Sequence, residues 1–410
     1  MNSQPFQTPP KWWPSRLNPR LIRMVRPFRL RDLKQKGICS IDVIGAEAIS
    51  NSLDEGAGVL LLPNHSFHYD SYVLIEAALQ AGWHTHFMTA WQVFGMSTTP
   101  GKHFLQRHGC FSINREGTDT KAIKQAISIL SEDQHALTVF SEGDIYHSND
   151  RVMPFREGAA AIALKAAKRS GRPIHVYPCG MKCFYTQDPT EELVGMMNQL
   201  EERIRWRPRP DLPLLDRIYR FGHGFLSSKE IEYLGESGTG ELPARLRFLA
   251  ENVLEKVREA HGLKQRTHDV TEQIRRIRSY LIREIEKAQN SASENSSNSG
   301  ISERESTEHI ATLQRHLDDM FFVTQLTSYR GNYTVENPTI ERIAETIDKF
   351  EEDIFDLQCP TPRGKRRAVV RFGSPIDLSQ IQTDTSSLTA LAESNVQQLL
   401  NEINADAPGQ

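Results

Sequence analysis

Four consecutive apolar residues, Val59-Leu60-Leu61-Leu62, run straight into Pro63-Asn64-His65, and this stretch narrows the possible folds more than any other. A run this dense fits a buried strand that stops at the proline. The chain around it alternates in the same way from about 38 to 190. Segments 58–62, 136–140 and 174–177 read as strands, and 71–80, 121–130 and 158–170 read as helices. Strands alternating with helices predict an α/β domain whose mainly parallel or mixed sheet is covered by helices on its faces.

The second half changes character. Segments 191–206, 241–260, 268–289, 305–326 and 338–357 are helical in pattern, and strand signals are scarce. Between them a Ser/Asn tract at 290–300 is too polar to bury a core and is expected to be mobile. Near the end, Ala368-Val369-Val370-Arg371-Phe372 followed by Gly-Ser-Pro reads as one more strand and its stop. From about 384 to 410 the expectation is a polar tail with one possible helix.

The first 37 residues form a basic arm. Trp12 and Trp13 stand among lysines and arginines from Lys11 to Lys36, opposed by Asp32 alone. Interleaved apolar residues suit a segment lying on an anionic membrane surface with its tryptophans at headgroup depth. Pro14, Pro19 and Pro27 forbid one continuous amphipathic helix. The competing reading is an irregular arm packed on its own domain. No stretch approaches the roughly 20 apolar residues of a spanning helix, and charged residues and prolines interrupt the N-terminus as they would not in a signal peptide. A cytoplasmic, peripherally membrane-associated protein is therefore expected. The five cysteines, an odd number without a CxxC pair, suit a reducing compartment, and Cys179 and Cys183 read as buried free thiols rather than metal ligands. With 410 residues, 38% of them apolar, the chain is long enough for a sizeable core. Its net charge of −3 exerts no global pull on nucleic acid.

The chemistry concentrates after the first strand. Open α/β folds place their sites at the carboxyl edge of the sheet, where Asn64 and His65 emerge. His65 and Asp70 lie five positions apart, about 140° of rotation on an ideal helix, so they would not share a helical face. They meet only if His65 sits in the loop and Asp70 in the first turn of the next helix. There a carboxylate would hold one imidazole nitrogen as N–H and leave the other to act as a general base toward an alcohol. Three more stretches bear polar groups near predicted strand ends. Gly109 to Arg115 puts an arginine, suited to bidentate phosphate binding, after a short apolar segment. Phe140-Ser141-Glu142-Gly143 follows the strand at 136–140, and Val176-Tyr177-Pro178-Cys179 closes another. Arg156, just before the Ala-rich helix at 158–170, would either add a phosphate contact or form a salt bridge at the helix start.

In this order the four stretches resemble the conserved blocks of glycerolipid acyltransferases of the lysophosphatidic acid (1-acylglycerol-3-phosphate) acyltransferase type. These are the NHxxxxD block, the glycine-to-arginine block, the FPEG block and the proline block. The likeness covers about 55–185, with residues near 366–378 similar to that family's late strand. It departs from the pattern at Ser141, where the third block usually has proline, and at Ser112, where the second most often has an aromatic. The resemblance implies a glycerol-3-phosphate acyltransferase-like fold and assigns roles. His65 would be the catalytic base and Asp70 its orienting partner. Arg115 would bind the acceptor's phosphate, with Asn64, Gly109, Phe140, Ser141, Glu142, Gly143 and Arg156 completing the substrate site. Pro178 would belong to the acyl-donor or pocket wall. No cofactor and no metal are implied. The implied partners are acyl-CoA or acyl carrier protein as donor, a lysophospholipid as acceptor, and an anionic membrane surface. In that family the late strand follows the proline block closely, whereas here 191–358 intervenes. The expectation is a domain made of 38–190 plus 364–380, interrupted by a large all-helical insertion at 191–358; the alternative is a separate C-terminal helical domain with its own short hairpin.

Two other classes of function compete. His65, His68 and Asp70 form an H-x-x-H-x-D pattern that would suit a metal-dependent hydrolase, although no second compact His/Asp cluster follows. A non-catalytic membrane-surface scaffold would use the basic arm and the helices, but has no need of the His65–Asp70 pair.

Overall fold

The structure, a computed structural model, describes residues 11–117, 119–264, 267, 269–294 and 300–406, without the side chains of 291–294 and 300–306. Its centre is one mixed sheet. The strands are β1 (Ile38–Ile44), β2 (Gly58–Pro63), β3 (Thr85–Ala90), β4 (Cys110–Ile113), β5 (Ala136–Thr138), β6 (Ile174–Tyr185), β7 (Arg366–Phe372) and β8 (Ile376–Asp377). They lie in the order β1-β7-β6-β2-β5-β3-β4, with β8 beside β6. All neighbours are parallel except β6 with β7 and β6 with β8.

Successive side chains of a strand point to opposite faces, so an unbroken apolar run serves two cores at once. Every residue of β2 is buried. Val59 and Leu61 pack with α1 (Pro19–Met24), α2 (Arg26–Gln35), α3 (Glu47–Asp54) and α4 (Asp70–Gln80), through Ile22, Leu33, Ile49 and Leu74. Leu60 and Leu62 pack on the other face. Two short helices, α5 (Trp91–Met96) and α6 (Thr99–Arg107), bridge β3 and β4, and α7 (Thr120–Glu132) and α8 (Gly158–Arg169) cover that second face.

Between β6 and β7 the chain is helical throughout its regular elements. These are α9 (Thr190–Arg203), α10 (Leu214–Leu234), α11 (Leu242–Ala260), α12 (Val270–Glu294), α13 (Gly300–Ser328), α14 (Tyr333–Glu336) and α15 (Ile340–Phe355). They bury two cores of their own, one around Leu249, Leu281 and Met320, the other around Met197, Phe221 and Ile347. The fold is thus an α/β sheet flanked by helices, with a large helical insertion between two strands that pair with each other.

Several local expectations change. Helix α10 lies outside the helices expected from sequence; Gly222 and Gly224 lower its propensity, yet burial of Ile218, Phe221 and Leu226 outweighs that cost. The helix expected as possible within the tail from 384 is α16 (Thr385–Ala405), but it is a core element that lays Leu388, Ala392, Val396, Leu400 and Ile403 on the sheet. Their three- and four-residue spacing is the stripe of a core helix. Of the Ser/Asn tract, 290–294 continue α12 and Gly300 opens α13, while 295–299 lie outside the described residues.

Strand β6 also continues past Pro178, where it was expected to end. Proline lacks the N–H that a ladder uses, but beyond Cys179 the strand changes partner, from β2 to antiparallel β7. Its other edge would then be bare, since β2 stops at Pro63. Side chains take over the ladder there. The Asn64 carboxamide accepts from Met181 N (2.7 Å) and donates to Met181 O (2.9 Å). Asn149 does the same for Cys183, at 2.9 and 2.7 Å, and Glu341 accepts from Tyr185 N at 3.1 Å. Buried backbone groups require such partners. Asn149→Ala would strip two of them from Cys183. It is expected to destabilise the protein by on the order of 1–3 kcal/mol per group left unpaired, read as a lower urea midpoint at unchanged slope. An unchanged midpoint would show that the carboxamide is dispensable.

Candidate active site

Strand β2 ends at Pro63, the next six residues form a loop, and Asp70 opens α4. Asp70 is 3% exposed, and a buried carboxylate must be compensated. Its Oδ2 accepts the backbone N–H of Ser66 (2.7 Å) and of Phe67 (2.8 Å) and pairs with His65 Nδ1 at 3.0 Å. The first turn of α4 adds the favourable end of a helix dipole. One carboxylate oxygen thus folds the loop and fixes the imidazole, with Nδ1 as its donor and Nε2 left as the basic nitrogen.

The ring of His65 stacks on Phe140, centroids 4.1 Å apart, and its side chain remains 18% exposed. Its backbone N–H donates to Glu142 Oε1 at 2.8 Å, and Met153 N donates to Glu142 Oε2 at 3.3 Å. Burial pushes the Glu142 carboxyl well above its usual range, against the pull of those two N–H groups. Glu142 is therefore a brace beneath the loop.

His65 opens onto a cavity of about 610 Å³. The cavity lies across the carboxyl ends of parallel strands, touching His65 after β2, Thr89 and Ala90 on β3, Ile113 to Arg115 after β4, and Val139 to Ser141 after β5. Met88, Val93, Ile123 and Ile162 give it an apolar wall. A cleft of about 940 Å³ shares Arg115, Arg156, Arg275 and the Asp144 carboxylate with it and adds Arg278, together with the carboxylates of Glu116 and Glu272. Arg115 donates to Gly143 O and lies 3.4 Å from Asp144, and Arg156 lies 3.9 Å from Asp144. Burial works against ionisation of Asp144, yet Arg115, Arg156 and Arg278 hold its carboxyl below the usual range. Gly143 adopts a φ of +81°, a conformation that side chains with a Cβ rarely adopt, so the turn under the arginines favours glycine.

His65, Arg115, Phe140, Ser141, Gly143 and Arg156 all line the first cavity. Asp70, Asn64 and Glu142 stand behind it as supports. Two predicted site residues are elsewhere. Gly109 turns the chain into β4 at a φ of +89°, where a Cβ would meet Thr85 O at 2.7 Å, and it does not line the cavity. Pro178 lies within β6 opposite Leu62, in the sheet rather than in a pocket wall. Ser141 lines the cavity with its hydroxyl buried and without a hydrogen-bond partner among the described residues. Ser112 instead ties down the arm: its hydroxyl accepts from Trp13 N at 2.8 Å, and Trp13 stacks on Phe94. Trp12 packs on Phe111, so both tryptophans are half-buried against their own domain.

Sequence reasoning missed the contribution of the helical insertion. Gln358 and Cys359 reach the cavity beside His68, and Arg275 and Arg278 come from α12. Spacing gives no signal for such contacts, which join residues far apart in the chain. His68 likewise turns to Glu352 of α15 (3.0 Å) and not to Asp70. The H-x-x-H-x-D pattern therefore separates: the described residues that bring three ligand-type groups together are His68, His147 and Glu352. Burial lowers His68, but Cys359 and Glu352 raise it to about 9, while burial holds His147 down to about 4.

No helix among the described residues is long and apolar enough to cross a membrane. No curated protein matches the chain. Residues 40–182, from β1 through the crossover of β6, match the family model described as Acyltransferase, and every group around His65 that comes from β2 to β5 falls inside that span. This segment is an acyltransferase domain of the glycerolipid acyltransferase family.

Proposed function

We propose that the protein transfers a fatty acyl group from the thioester of acyl-CoA or acyl carrier protein to the free hydroxyl of a lysophosphatidic acid-like acceptor. The observation that carries this reading is the His65–Asp70 pair, 3.0 Å apart, beside a largely apolar cavity that shares Arg115, Arg156 and Arg275 with a neighbouring cleft of mixed charge. An apolar wall suits an acyl chain, and guanidinium groups suit phosphate. The N-terminus of α8, whose N-cap Glu157 makes no side-chain cap among the described residues, turns its first backbone N–H groups toward the Arg156 end of the helix.

In this mechanism His65 Nε2 takes the proton of the acceptor hydroxyl as its oxygen attacks the thioester carbonyl carbon. Asp70 stabilises the imidazolium that forms. The tetrahedral intermediate expels the thiolate, which takes the proton back from His65, so one ester bond forms as one thioester bond breaks. The Ser141 hydroxyl is the donor proposed for the intermediate's oxyanion.

On the exposed side of α1 and α2, Met24, Phe28 and Leu30 stand out among Arg20, Arg23, Arg31 and Lys34. This pattern supports peripheral docking on an anionic membrane, from which an amphiphilic acceptor would be drawn.

His65→Ala is expected to lower turnover by at least ~10³-fold with folding intact, and Asp70→Asn by about 10²–10⁴-fold. Near-normal turnover by a folded His65→Ala protein would refute the assignment. Arg115→Ala should raise the KM for a phosphate-bearing acceptor, through loss of roughly 1.5–3 kcal/mol, and leave that for the thioester nearly unchanged. Equal effects on both would assign Arg115 to the donor or to the fold. Phe28→Ser with Arg31→Glu should weaken binding to vesicles rich in anionic lipid, and added salt should weaken it in the unaltered protein. Binding indifferent to both would place the membrane contact elsewhere.

A further inference from the structure

We propose that His68, His147 and Glu352 form a site for one divalent metal ion of the zinc class, which latches helix α15 onto the loop that carries His65. The donors come from three distant parts of the chain: the loop after β2, the loop after β5, and the insertion. Nε2 of His68 and Nε2 of His147 each lie 3.0 Å from Glu352 Oε1. All three donor atoms fall within 4.8 Å of one another. Tetrahedral zinc with bonds of about 2.0–2.1 Å sets its ligand atoms roughly 3.3 Å apart, so small side-chain adjustments close the site. Two imidazoles and a carboxylate are a donor set that zinc favours, and three protein ligands leave one position for water or a further donor. Cys359, whose thiol interacts with His68, is close at hand for that position.

The second observation is independent of the clustering. The His147 side chain is fully buried; its Nε2 lies 3.0 Å from Glu352 Oε1 without the alignment of a hydrogen bond, and its Nδ1 has no hydrogen-bond partner among the described residues. A buried imidazole left in that condition is costly. Its backbone is held at a φ of +47°, in the left-handed region. A hydrogen bond between His68 and Glu352 would account for those two residues, whereas His147 approaches the same oxygen without hydrogen-bond alignment. A metal ion would give the Nε2 atoms of both histidines and the carboxylate one shared partner.

The inference does not rest on acyl transfer, and its test reads metal and stability rather than turnover. The full-length protein, stripped with chelator, would be dialysed against Zn²⁺ and its metal content measured. A parallel sample would take Co²⁺ for its visible absorption. One zinc per chain, a higher unfolding midpoint with Zn²⁺, and the Co²⁺ spectrum of imidazole ligation are expected. Glu352→Gln and His68→Asn, each checked for folding by circular dichroism, should bind on the order of 100-fold or more weakly. His68 is a partly exposed loop residue, so its variant keeps the test available should the helix substitution misfold. Failure of the unaltered protein to take up stoichiometric zinc, or undiminished uptake by either folded variant, would overturn the proposal.

Discussion

A carboxylate removed from water must find compensation nearby, and around Asp70 that requirement shapes the site. Two backbone N–H groups and an imidazole converge on one of its oxygens, and they are the groups that define the loop between β2 and α4. The loop has little freedom to bend otherwise without leaving a buried charge unpaired. Glu142 grips the same loop from below through the His65 N–H, and Asn64 ties its start to β6. The orientation of the His65 ring is thus set by hydrogen bonds made before any substrate arrives, as preorganised catalysis requires.

The same accounting of buried polar groups attaches the helical insertion. Because β6 outruns β2, its free edge is covered by carboxamides and a carboxylate, and Glu341 brings the insertion to that edge. Next to it, Asp150 pairs with both Lys182 of β6 and Arg342 of α15, the latter at 2.7 Å. Arg363, just before β7, pairs with Asp348 and Glu351 of the same helix. Buried ion pairs add modest net stability against an apolar alternative, but breaking one is costly, so they fix position. Helix α15 is held in this way beside the loop of His65. The insertion then supplies Arg275 and Arg278 to the cleft and Cys359 to the cavity. Long inserts close at small entropic cost when their ends are neighbours, and here the flanking strands β6 and β7 pair directly.

What the residues settle by themselves is local. The unbroken run of Val59 to Leu62 specifies a strand buried on two faces, and Pro63 its end. The five-residue separation of His65 and Asp70 specifies a loop followed by a helix start, because no other local geometry joins them. The order of strand, polar block and helix up to Pro178 marks an acyltransferase domain and the loops that carry its candidate site. The stripe from Leu388 to Ile403 was equally legible as a helix period, though its polar neighbours disguised a core element as a tail.

Tertiary structure decided what depends on residues distant in sequence. Gly109 and Pro178 look like site residues in a linear pattern, but one serves a backbone turn and the other a change of strand partner. Asn149 and Glu341 carry no pattern at all, and become necessary only once β6 has an uncovered edge. His68 reads with Asp70 as a metal pair by spacing, yet its ring meets Glu352, 284 positions away. Periodicity and spacing report the forces within one element. Polar satisfaction of buried edges, and the meeting of side chains from separate elements, follow from where the packed elements end, which no local window of sequence contains.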